Sequence, residues 1–190
     1  MNSSPVVLLG AGASRDAGLP LARELSRALF ASEELYRPRL GYGRPARARA
    51  LVGHIHRSDP STADDYELFF RRLDQIDLLF PSLGTPGLRE RPDDVNEGMA
   101  LVLMNAPTAL ANLLRSRPVR ETSYLARIAE LGQSRSLRVF SLNYDSLLRD
   151  ACEQAGLRTT TGFDREGKWR PGLLNSDGIV LHHLHGSLRW

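Results

Sequence analysis

Lysine occurs once in this chain, at Lys168, and cysteine once, at Cys152. A lone cysteine excludes an intramolecular disulfide and any zinc site built from several cysteines, and it fits a reducing cytoplasm. There is no run of 18 apolar residues, so no membrane-spanning helix and no membrane partner are expected. The opening MNSSPVVLLG has neither a basic stretch nor a small-residue cleavage site, so no signal peptide is expected either. With lysine almost missing, arginine supplies nearly all of the 25 basic residues, and they are spread along the whole chain. This reads as the residue usage of a GC-rich genome. A net charge of +3 is modest, and no segment joins a dense basic run to interleaved aromatics, so nucleic acid is not the expected partner. The best candidate for one, YRPRLGYGRPARARA at residues 36–50, reads instead as a solvated Pro/Gly loop leading into a helix.

What is present is an ordinary globular composition, 42% hydrophobic and 25% charged over 190 residues. That length suits one domain with a sizeable core. Residues 5–9 form a short apolar run ended by Gly10, the pattern of a buried strand. A helix is expected over about 19–30, with Pro20 in its first turn. Residues 36–48 read as a loop. STADDYELFFRRLDQIDLLF carries a Ser/Thr cap and early acids, a helix start, with Leu68, Phe69, Leu73, Ile76 and Phe80 on its apolar face. Residues 81–93 read as a second Pro/Gly loop. Further helices are expected over 94–115, broken or kinked at Pro107, and over 121–132, ended by Gly132. Strand character returns at 137–142, then a helix over about 144–154, a short strand near 157–161 and a last strand at 178–186. Strands alternating with helices predict an α/β fold, a Rossmann-like parallel sheet flanked by helices, as one domain with a helical insertion at about 50–132.

The stretch GAGAS after the first strand places Gly10 and Gly12 where a backbone turns sharply, with Gly18 six residues later. Glycines there let a phosphate approach the backbone with no Cβ in the way, although a plain tight turn would also use them. The dinucleotide fingerprint G-x-G-x-x-G is not met, since Arg15 stands at its third glycine. The longer segment GAGASRDAGLP resembles the opening motif of the sirtuin family, G-A-G-x-S-x-x-x-G-[IL]-P, through Gly10, Ala11, Gly12, Ser14, Gly18, Leu19 and Pro20. SLNYD is similar to the family's T-Q-N-x-D, with Ser141 for the threonine and Asn143 and Asp145 retained. LHGS supplies the family's His-Gly pair as His185 and Gly186. All three motifs are predicted at strand ends, where open parallel sheets bind ligands.

The resemblance implies that Asn143 and His185 are the catalytic pair and that NAD is the substrate. It also implies a binding surface of Gly10, Ala11, Gly12, Ala13, Ser14, Gly18, Ser141, Asn143 and Asp145. Breaking the bond between nicotinamide and ribose passes through an oxocarbenium-like state. It needs a polar group to place the ribose or a water, and a base of near-neutral pKa, tasks that asparagine and histidine suit. Read by residue type alone, Asn143 also suits a helix cap, the lesser reading, and Asp145 a first-turn acid favoured by the helix dipole. The cluster His182, His183 and His185 has the look of metal ligands, but no acid or cysteine lies nearby in sequence, so no metal site is expected.

Protein-deacylating sirtuins carry a four-cysteine zinc module, for which this chain has no cysteines, so no zinc is expected. The continuation GLPLARELSRALF, and ADDYELFFRRL with Asp65, Tyr66 and Glu67, resemble the sirtuin-like NAD-consuming domains of bacterial defence systems. That branch implies an NAD hydrolase giving nicotinamide and ADP-ribose, an anti-phage effector held off until infection is sensed, through homo-oligomerisation or an attached sensor domain. The alternatives are a module that senses NAD or ADP-ribose without turnover, and a zinc-free NAD-dependent deacylase. Sirtuin-like domains continue through further strands beyond the His-Gly pair, so part of the C-terminal portion of the domain is expected to be missing from these residues. Asp65, Tyr66 and Glu67 receive no role from the sequence.

Overall fold

A computed structural model describes residues 5–38, 44–79, 93–134, 136–164, 166–175 and 178–185. Among them the main elements are β1 (Val6–Leu9), α1 (Ala22–Ala31), α2 (Pro45–Ser58), α3 (Tyr66–Leu79), α4 (Asp93–Arg115), α5 (Ser123–Ser134), β2 (Leu137–Ser141), α6 (Leu147–Gln154), β3 (Thr159–Thr160) and β4 (Ile179–His183). The strands make one sheet in the order β1-β2-β4-β3, parallel throughout. This is the α/β fold that the alternation of strands and helices predicts. No helix among the described residues is long and apolar enough to cross a membrane.

The chain divides into two compact units. The sheet unit holds the described residues up to Pro20 and those from Arg117 onward, and the helical unit, Leu21–Ser116, interrupts it in sequence. The helical stretch expected at about 50–132 therefore differs from the helical unit at both ends. α1 lies inside that unit, whereas α5 belongs with the sheet.

In the sheet unit the register pairs Val7 with Val139 and Leu9 with Ser141, and pairs Val139 with Leu181 and Ser141 with His183. Register partners in a parallel sheet point to the same side. One face therefore presents Leu9, Leu137, Val139, Ile179 and Leu181, and these join Leu125 and Ala129 of α5 and Leu147, Leu148, Ala151 and Cys152 of α6 in one buried cluster. The chain steps in one direction from β1 to β2 and from β2 to β3, and α5 and α6 both pack on this face. On the other face Val6 and Leu8 are 64% and 66% exposed.

Gly132 was expected to end its helix, but α5 runs on to Ser134. Its role is close packing: a Cβ there would stand 2.4 Å from Ile179 Cγ1. Helix α6 starts later than expected, at Leu147, and Gly156 follows its end with φ +72°, the left-handed stop that favours glycine.

In the helical unit, Leu25 and Leu29 of α1, Val52 and Ile55 of α2, Phe69 and Leu73 of α3 and Leu101 and Val102 of α4 are buried. Pro20 precedes α1 rather than entering it, and the Glu24 carboxylate accepts the Leu21 N–H at 3.0 Å. Helix α2 begins at Pro45, inside the segment read as a loop to residue 48, because proline at N1 has its φ preset and no N–H to satisfy. Residues 39–43 of that loop, the loop at 81–92 and Phe80 lie outside the described residues. Helix α3 starts five residues after Ser61: Asp65 Oδ1 accepts the Leu68 N–H at 2.9 Å, and Ser26 Oγ accepts the Tyr66 N–H. Asp64 pairs with Arg23 and Arg27. The ADDYE segment thus caps a helix and ties it to α1. Helix α4 continues through Pro107 as one element.

Candidate functional site

The C-terminal rim of the sheet carries the motif residues. The ladder extends past the strands, with Leu142 N–H donating to Leu9 O and Leu184 N–H to Ser141 O, each at 2.9 Å. The chains leaving β1, β2 and β4 are thereby held side by side. After β1, Ala11–Ser14 form a single 3₁₀ turn, with Ala13 N–H donating to Gly10 O at 2.8 Å.

The glycines of the first motif separate by physical need. Gly18 has φ +90°, and a Cβ there would come 3.2 Å from Pro118 O, so backbone conformation and packing both require glycine. Gly10 is extended, at φ −117°. At Gly10 and at Gly12 a Cβ would meet nothing within 4 Å. Neither position has a positive φ. The fold does not need glycine there, and the space beside both is open.

Asn143 is bound on nearly every polar atom. Its Nδ2 donates to Gly10 O at 2.9 Å and to Ser14 Oγ at 2.8 Å. The Gly10 carbonyl only accepts, which fixes the amide orientation and leaves Oδ1 as the acceptor the side chain can offer. Its backbone N–H donates to Ser141 Oγ at 3.1 Å. Ser14 spends its one hydroxyl proton on Asp145 Oδ2 at 2.6 Å, while Asp145 Oδ1 accepts the Leu147 N–H at 3.0 Å. Asp145, not Asn143, therefore secures the start of α6. Ser14, Asn143 and Asp145, 131 positions apart in sequence at the extremes, form one network.

A small open cleft lies over this network, lined among others by Ala13, Ser14, Ser141, Asn143, Asp145 and His183. Ala11 sits in the 3₁₀ turn and Gly18 closes the turn that follows. His185 is exposed on the same rim, its ring 6.3 Å from that of Tyr144, and does not line the cleft. Gly186 lies outside the described residues.

Three contributors are not singled out by the motifs. Tyr124 of α5 donates its hydroxyl to Ala13 O and so pins the glycine turn. Burial, with Asp16 and Asp145 nearby, pushes its phenol pKa up, so it remains a donor. Arg149 of α6 lines the cleft with its guanidinium on Glu153 at 2.9 Å. His183 lines it from β4, with Nδ1 3.2 Å from Asn143 O. The HHLH spacing alone could flag His183, since alternate residues of a strand share a face and its register partner is Ser141. Tyr124 and Arg149 leave no comparable trace in sequence. Their neighbours in the site come from other elements. Among the described residues no three His, Cys, Asp or Glu side chains gather as a metal ion would need.

A scan against protein-family models gives no match, and a search of curated proteins gives none either.

Proposed function

We propose that this chain is a sirtuin-like NAD hydrolase domain that releases nicotinamide from NAD and leaves ADP-ribose, acting in the cytoplasm as an anti-phage effector. The observation that carries the reading is the pair Gly10 and Gly12. They stand at the end of a parallel strand, open space lies beside them, and neither backbone conformation nor packing demands glycine. The remaining reason for glycine is a ligand that comes close to the backbone, as a pyrophosphate does. The network of Ser14, Asn143 and Asp145 supports it, because it occupies the Asn143 Nδ2 and leaves Oδ1 as an acceptor for a ribose hydroxyl or a water.

In this reading the bond from nicotinamide nitrogen to ribose C1′ breaks with its electron pair leaving on the nitrogen, which turns the pyridinium into neutral nicotinamide. The C1′ carbon takes up oxocarbenium character and water adds to it. The proton lost by that water passes to His185, the base that the motif assigns, which stands on the rim beside the cleft, and then to solvent. Asn143 orients the ribose or the water. The GAGAS turn, held by Tyr124, receives the phosphates. The two alternatives differ in products. A sensing module binds NAD without releasing nicotinamide, and a deacylase releases it only with an acylated peptide. Purified protein incubated with NAD, with and without an acetyl-peptide, is therefore the test. Nicotinamide and ADP-ribose in equal amounts without peptide are expected, and NAD that stays intact in both arms contradicts hydrolysis.

A further inference from the structure

We infer that His183, which no motif assigns, is a positioning residue for the reaction: its Nδ1–H fixes Asn143 in the geometry that the cleft needs. The inference rests on the NAD-hydrolase reading for its kinetic consequence but not for its structural one. The contact is between Nδ1 and the Asn143 carbonyl oxygen at 3.2 Å. A carbonyl has no proton to give, so the ring must donate through Nδ1. The neutral ring is then the Nδ1–H tautomer. The bond completes the restraint of Asn143, whose N–H is held by Ser141 and whose side chain is held by Gly10 and Ser14.

The restraint crosses strands that sequence keeps far apart. β1 supplies Gly10 through the turn after it, β2 supplies Ser141, and β4 supplies His183, paired in register with Ser141. Asn143 leaves β2 without strand partners of its own, so these bonds set where Oδ1 stands. Without the β4 contact the peptide carbonyl of Asn143 keeps only the longer bond from Ser141 Oγ at 3.5 Å, and the acceptor is held less closely. A displacement near 1 Å at a reacting group costs on the order of 10²-fold in rate.

The test has two readouts on the intact 190-residue chain. The first is independent of activity: ¹⁵N chemical shifts of labelled histidine, with His183 identified by its loss in His183→Asn. The neutral ring of His183 is expected as the Nδ1–H tautomer, and an Nε2–H tautomer overturns the inference even if the protein hydrolyses NAD. The second is kinetic. His183→Ala is expected to lower kcat for nicotinamide release by roughly 10²-fold with KM little changed. His183→Asn, whose amide puts an N–H near the place of Nδ1, is expected to restore most of that rate with the pH profile of the parent. A full rate in His183→Ala overturns the positioning role, and so does a lack of rescue in a folded His183→Asn. If the parent protein releases no nicotinamide, the hydrolase reading falls, while the tautomer still decides the restraint on Asn143.

Discussion

Replacing Gly18 by alanine forces a side chain into φ +90° and toward Pro118 O at 3.2 Å. A loss of about 1–3 kcal/mol in folding stability is expected from that strain. Gly12 contrasts with it inside the same motif. Gly12→Val places its Cβ where no protein atom lies within 4 Å, so thermal unfolding is expected to stay near that of the parent while NAD binding by calorimetry is lost. Equal loss of stability at both positions would mean that Gly12 serves the fold and not a ligand. Cys152 is a third residue with a definite expectation. Burial, together with Glu153, pushes its thiol pKa up to about 11, and thiols are reactive only as thiolates. Iodoacetamide is therefore expected to modify Cys152 only after denaturant is added, as mass spectrometry of the intact protein would show.

At the scale of elements, hydrophobic period and turn residues revealed β1, β2, β4 and most helices, because each buries one face in the core of its own unit. What they missed has particular causes. The start of α2 lay hidden because Pro45 and the arginines after it look like loop, yet a proline at N1 costs a helix nothing. Gly132 looked like a stop because glycine ends helices so often, whereas here Ile179 needs the room. In the site, Ser14, Asn143 and Asp145 were legible as motif residues, and their contacts follow from the parallel ladder between β1 and β2. Tyr124 was not, because nothing local to α5 signals a partner 111 positions away. Gly132→Ala gives this a test. Alanine gains up to about 1 kcal/mol of helix propensity, but overpacking a core costs about 1–3 kcal/mol, and Ile179 is 1% exposed. Net destabilisation is expected in chemical denaturation, and a stabilised variant would contradict the packing account.

For the whole molecule, stability is expected to fall as solutions become mildly acidic. His56 lies edge-on to Phe30, with ring centroids 4.6 Å apart, and 5.5 Å from Phe69. Its Nε2 is buried without a hydrogen-bond partner among the described residues, and burial lowers its pKa. His182 is lowered as well, by burial and then by Arg138. The unfolded chain takes up these protons near pH 6.5, and the folded chain only at lower pH. The stabilising effect is therefore complete above about 6.5 and is lost as pH falls from there through the lower folded values. Melting temperatures read between pH 7.5 and 5 are expected to drop, and His56→Asn is expected to flatten the drop. An unchanged slope in that variant would exclude His56 as a source. The claim that binds these scales together is that the cleft over Ser14, Asn143 and Asp145 is where NAD is cleaved. The rate of nicotinamide release by the parent, Asn143→Ala and His185→Ala, each first shown to be folded, tests it most directly. A loss of roughly 10²–10⁴-fold in His185→Ala, the usual worth of general acid–base catalysis, with a comparable loss in Asn143→Ala, is the expected result, and an undiminished rate when both residues are replaced together would contradict it.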